Sequence, residues 1–79
     1  MRTPPQISGN ELITCLCRHW EYHIIKQIGH HIRIETLTPR FQRLTIPLHD
    51  TIKPELVAEI LKSVATHKRV DVERILDTL

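Results

Sequence analysis

The chain has 79 residues, which is one domain with a thin hydrophobic core. Its 41% hydrophobic and 25% charged residues exclude a disordered segment, and no apolar run approaches the length of a membrane span. A net charge of +2 is too small to announce nucleic-acid binding by itself.

The first predicted element is a helix over residues 9–19. Ser8-Gly9-Asn10-Glu11 fits the capping box, with Ser8 as N-cap and Glu11 at the third helical position, and Ile7 and Leu12 can form the hydrophobic staple. Leu12, Cys15, Leu16 and His19 then follow helical spacing. Three short strands come next, over residues 22–28, 30–36 and 41–46, separated by Gly29 and by a turn containing Pro39. Short connections imply an antiparallel meander. In the second strand Ile32 and Ile34 are the natural inward face, together with His30, which is expected to be buried or half-buried. That leaves His31, Arg33 and Glu35 on the opposite face. Pro54 suits the first turn of another helix, with an apolar stripe of Leu56, Val57, Ile60, Leu61 and Val64. Asp71 can cap a last short helix with Val72, Ile75, Leu76 and Leu79 along one face. The fold class is therefore α+β, an α-β-β-β-α order with a terminal helix. The helices pack on one face of a three-stranded antiparallel sheet, because each has a single apolar stripe. Residues 1–79 form a single domain without repeats or linkers.

The densest chemistry lies in Gln27-Ile28-Gly29-His30-His31-Ile32-Arg33. Histidine exchanges protons near neutral pH, so an imidazole fixed where a glycine turn enters a strand is suited to acid–base work on a ligand. The competing interpretation is a solvent-facing strand histidine without a role. Up to His49 the chain carries Arg2, Arg18, Lys26, Arg33, Arg40 and Arg43 against Glu11, Glu21 and Glu35, whereas acids outnumber bases from Asp50 onward. A cationic face would therefore come from the middle of the chain. Cys15, Cys17, His19 and His23 have a superficial metal-ligand spacing. Cys15 and Cys17 fall on opposite sides of a helix, however, so no metal site is expected. Two closely spaced cysteines read as reduced thiols, and Met1-Arg2-Thr3-Pro4-Pro5 lacks the apolar stretch of a secretory signal. A cytoplasmic location is expected.

The α-β-β-β-α order resembles the double-stranded-RNA-binding-domain-like fold, and an ordered set of segments narrows it. Ser8 to Ile13 reads Ser-Gly-x-Glu-Leu-Ile. Gly29-His30-His31-Ile32-Arg33 follows, then Leu44-Thr45-Ile46-Pro47-Leu48-His49, then Ile52-Lys53-Pro54-Glu55-Leu56 leading into Ile60-Leu61. Together these segments resemble the HicA toxin family, the mRNA interferases of HicA–HicB toxin–antitoxin pairs. The resemblance implies a metal-independent endoribonuclease without a small-molecule cofactor, acting on mRNA and held by a HicB-like antitoxin. It implies a catalytic histidine in a Gly-Ser-His signature, which falls on His31, with the signature glycine at Gly29. His31 would take the proton of a ribose 2′-OH. In a plausible hairpin register Arg33 and Arg43 share its face and are placed to hold phosphates beside Gly29. Lys26 is a further candidate whose facing the strand pattern does not fix, and the competing interpretation of all three is solvated sheet charge. This chain has His30 at the serine position and Ile28 where a basic residue is common, which leaves open whether one or both histidines take part. His49 and Lys53 flank the loop into the second helix, where an anion could also be held. The alternatives are a non-catalytic RNA-binding module and a protein-interaction domain whose histidines are incidental.

Overall fold

The computed structural model describes residues 6–79, and the N-terminal pentapeptide with Arg2 lies outside them. The elements run α1 (Gly9–His19), β1 (His23–Ile28), β2 (His31–Thr36), β3 (Gln42–Pro47), α2 (Pro54–Lys68) and α3 (Val72–Leu76). The α1 start is built as the sequence requires. The Glu11 backbone N–H donates to Ser8 Oγ and the Ser8 N–H donates to Glu11 Oε1, each at 3.1 Å. Pro54 opens α2, where its missing N–H costs nothing. Asp71 precedes α3 as expected, but its side chain makes no capping bond.

The strands form one antiparallel sheet in the order β1-β2-β3. Ile32, Ile34 and Thr36 point into the core, and the helices close over them with Leu12, Leu16, Val57, Leu61, Val64 and Ile75. The helical cover does not extend to β1, all six residues of which are exposed. Ile24 faces the same side as its partner Ile34, yet Ile24 is 59% exposed and Ile34 is 0%. Leu79 is also out of the core, at 40%, because α3 ends at Leu76 and the chain continues as a hydrogen-bonded turn.

His30 departs from expectation. It is an exposed turn residue, not a buried strand residue, because β2 begins one position later at His31. Gly29 and His30 form a two-residue hairpin turn with φ of +58° at the glycine, the left-handed conformation that favours a residue without Cβ. A bulge at Ile25 accommodates one extra residue in β1 and restores His23 to the face shared by Lys26 and Ile28.

A polar cluster holds the other end of the sheet. Lys68 Nζ donates to Thr36 Oγ1 at 2.9 Å and to the Thr38 carbonyl at 2.6 Å, and lies 4.8 Å from the centre of the Tyr22 ring. The Tyr22 hydroxyl donates to the Gln42 side-chain oxygen. Burial pushes the Tyr22 phenol up to about 12 and lowers the Lys68 ammonium. A raised phenol pKa stabilises the fold fully below about pH 10, and this contribution drains away as pH climbs towards 12. Lys68 acts with the opposite sign, favouring the fold as it loses its proton. Tyr22→Phe isolates the phenol: between pH 10 and 12 the parent should lose about 2 kcal/mol more stability than the variant in denaturant titrations. Equal losses would show that the phenol ionises without disturbing the fold.

Candidate functional site

The sheet face turned away from the helices carries the candidate residues, and its order follows from the register. His31 on β2 stands between Ile28 of β1 and Pro47 of β3. Arg33 stands between Lys26 and Thr45, and Glu35 between His23 and Arg43. Residues directly opposite one another share a face, so Lys26, Arg33, Arg43 and His31 all lie on this side. His31 and Lys26 are exposed and Arg33 is half-buried. His31 and Arg33 are two positions apart on one strand, about 7 Å along it.

The cations are not equivalent. Arg43 Nε sits 2.9 Å from Glu35 Oε2, and the Arg43 guanidinium also lies 5.6 Å from the Phe41 ring centre. Its charge is thus already matched, although an exposed pair of this kind is worth only about 0–1 kcal/mol and an incoming phosphate can compete for it. Lys26 and Arg33 have no ion-pair partner among the described residues, which leaves their charge for a ligand. The Arg33–Lys26 pair faces outward beside His31 without an acid between them.

The hairpin turn is held by two hydrogen bonds. Gln27 Nε2 donates to the Gly29 carbonyl at 3.1 Å, and the Leu48 N–H donates to the His30 carbonyl at 2.6 Å. The next residue, His49, accepts from the Gly9 N–H at 2.9 Å, tying the α1 start to the same end of the sheet. His30, His31 and His49 are therefore brought to one end of the sheet by backbone bonds, and all three are exposed. Lys53 is exposed at the start of α2, where its carbonyl accepts from Leu56 and Val57.

The cysteines play no part in this face. Cys15 is buried with its Sγ 3.2 Å from Thr78 Oγ1, and Cys17 is half-buried. Burial pushes both thiols up, away from the reactive thiolate. No three metal-ligating side chains converge among the described residues.

Two features had no signal in the sequence. The close passage of Gly9 over the Pro47–Leu48 backbone depends on tertiary packing, as does the Lys68–Tyr22–Thr36 cluster. Exposed isoleucines on β1 were equally hidden, because strand composition does not tell how far the helices reach.

No helix among the described residues is long and apolar enough to cross a membrane. Comparison of the chain with protein families, curated proteins and solved structures yields no match.

Proposed function

We propose that this chain is a HicA-like mRNA interferase, the toxin of a toxin–antitoxin pair, cutting mRNA in the cytoplasm with His31 as general base. The observation that carries the proposal is the open sheet face on which exposed His31 sits two positions along β2 from the abreast pair Lys26–Arg33, beside the Gly29 turn. The ordered segments that resemble HicA proteins support it independently. RNA brings its own nucleophile. His31 takes the proton from a ribose 2′-OH, the 2′ oxygen attacks the adjacent phosphorus, and the bond to the 5′ oxygen breaks. The departing oxygen takes a proton from solvent or from a neighbouring imidazolium, for which His30 and His49 are placed at the same end. Lys26 and Arg33 offset the charge that gathers on the phosphoryl oxygens. Arg43 is a weaker contributor because Glu35 already holds it.

The partner in this proposal is a HicB-like antitoxin that covers His31. Ile28 on the cationic face, Ile25 in the bulge and Ile24 on the opposite face, each more than half exposed, make β1 an apolar edge strand. A protein partner with acidic and apolar side chains fits both.

One observation favours a binding-only role: both neighbours of His31 across the sheet, Ile28 and Pro47, are apolar, so neither orients the imidazole. Incubation of the partner-free chain with a labelled, unstructured RNA separates the two. Scission supports the interferase, and salt-sensitive binding of uncut RNA supports the binding module. In either case Lys26→Ala and Arg33→Ala should each flatten the dependence of log affinity on log salt by about 0.7 for single-stranded RNA. Arg43→Ala should flatten it less. Unchanged slopes in the first two variants would place the RNA elsewhere on the molecule.

A further inference from the structure

At the end of the sheet opposite His31, the loop after β2 and the ends of α1 and α2 line an open surface cavity. Its wall holds Trp20, Arg40, Lys68, Arg69 and His19, against the single carboxylate of Glu21. Trp20 is half-buried, and its indole N–H donates to Thr78 Oγ1 at 3.0 Å, which fixes the plane of the ring. Lys68 is anchored through Thr36 and Thr38. Arg40 and Arg69 are exposed, and neither has an ion-pair partner among the described residues.

An orientationally fixed aromatic ring beside unmatched guanidinium groups is the combination that holds a base and its phosphate together. The ring stacks on the π-face of the base, and the guanidinium fork matches phosphate oxygens. We propose that this cavity is a nucleotide-binding subsite, with the base stacked on Trp20 and the phosphate held by Arg40 and Arg69. An acidic peptide would satisfy the guanidinium groups but would leave the indole face unused. The nucleotide has two possible sources, a free mononucleotide or one unit of an RNA strand that runs beyond the sheet face. The site lies roughly 20 Å from His31 along β2, so it stands apart from the cleavage chemistry.

Trp20 is the only tryptophan, so its fluorescence reports on the cavity directly. Titration of the full chain with AMP should give saturable quenching that weakens with salt, and inorganic phosphate should give far less. Arg69 has φ of +58°, a conformation in which glycine is less strained than arginine, so Arg69→Gly removes the charge without threatening the fold. Arg40 lies in an exposed loop and tolerates Arg40→Gln. The double variant should bind AMP at least about tenfold more weakly, the loss of one or two charge-assisted bonds. Tighter binding of a short oligonucleotide than of AMP identifies the RNA strand as the source, and equal binding identifies the free nucleotide. His31→Ala should leave the titration unchanged, so failure of the interferase proposal does not alter this result. Quenching by AMP no stronger than by inorganic phosphate, or undiminished binding in the double variant, would overturn the assignment.

Discussion

Replacing His31 with alanine should lower the rate of RNA cleavage by roughly 10²–10⁴-fold, the usual contribution of a positioned general base. That corresponds to about 3–5 kcal/mol of transition-state stabilisation. The fold should survive, because His31 is exposed and its strand is held through backbone pairing with Ile28 and Pro47. RNA affinity should change little, since Lys26 and Arg33 remain to hold phosphates. A fall in cleavage rate with retained affinity is the signature of a group that acts in the transition state. His30→Ala serves as the neighbouring comparison. The side chain is exposed in the turn, and only its backbone carbonyl takes part in the sheet, accepting from Leu48. If His30→Ala abolished cleavage while His31→Ala did not, the base would be reassigned to His30.

The second large effect concerns Gly9. Helix propensity alone predicts that Gly9→Ala stabilises α1 by up to about 1 kcal/mol. Packing predicts the opposite sign. A Cβ at Gly9 would overlap the Pro47 carbonyl oxygen and stand 3.0 Å from Leu48 Cα, and these are backbone atoms that no rotamer change can move aside. α1 would have to lift from the end of β3, breaking the bond from the Gly9 N–H to the His49 carbonyl. The expected cost is about 3 kcal/mol, at the upper end for overpacking and a large share of a small domain's stability. The melting temperature should fall by roughly 15 °C. Gly29→Ala is the contrasting case. Nothing lies within 4 Å of a Cβ there, but φ is +58°, so only the left-handed conformation penalises it. Its cost should be about 1 kcal/mol. A more stable Gly9→Ala protein would contradict the close approach of α1 to β3.

Much of the scaffold was legible because local signals agreed with one another. Ser8 and Glu11 fixed the start of α1, and Pro54 fixed that of α2. Alternation of Ile32 and Ile34 with His31, Arg33 and Glu35 gave the two faces of β2. The common face of His31, Arg33 and Arg43 followed once the hairpins were short, whereas the facing of Lys26 was not legible, because it depends on the β1–β2 register beside the bulge. Other features were out of reach for physical reasons. His30 was misplaced because a one-residue difference in where a strand begins moves a side chain from core to solvent. The neutralisation of Arg43 by Glu35 depends on cross-strand register, and the bulge at Ile25 has no mark in a run of two isoleucines. Gly9 stood in a helix-start motif without any local reason to be glycine, since the reason is the Pro47 carbonyl far away in the chain. The cavity beside Trp20 draws its residues from α1, the β2–β3 loop and the end of α2, so no single segment displays it.

The most direct measurement is the end-group chemistry of RNA cut by the partner-free chain in the presence of EDTA. Attack by the 2′ oxygen, with His31 taking its proton, predicts new 2′,3′-cyclic phosphate or derived 3′-phosphate ends matched by 5′-hydroxyl ends. Intact RNA from a correctly folded chain, or products bearing 5′-phosphate and 3′-hydroxyl ends, would contradict it.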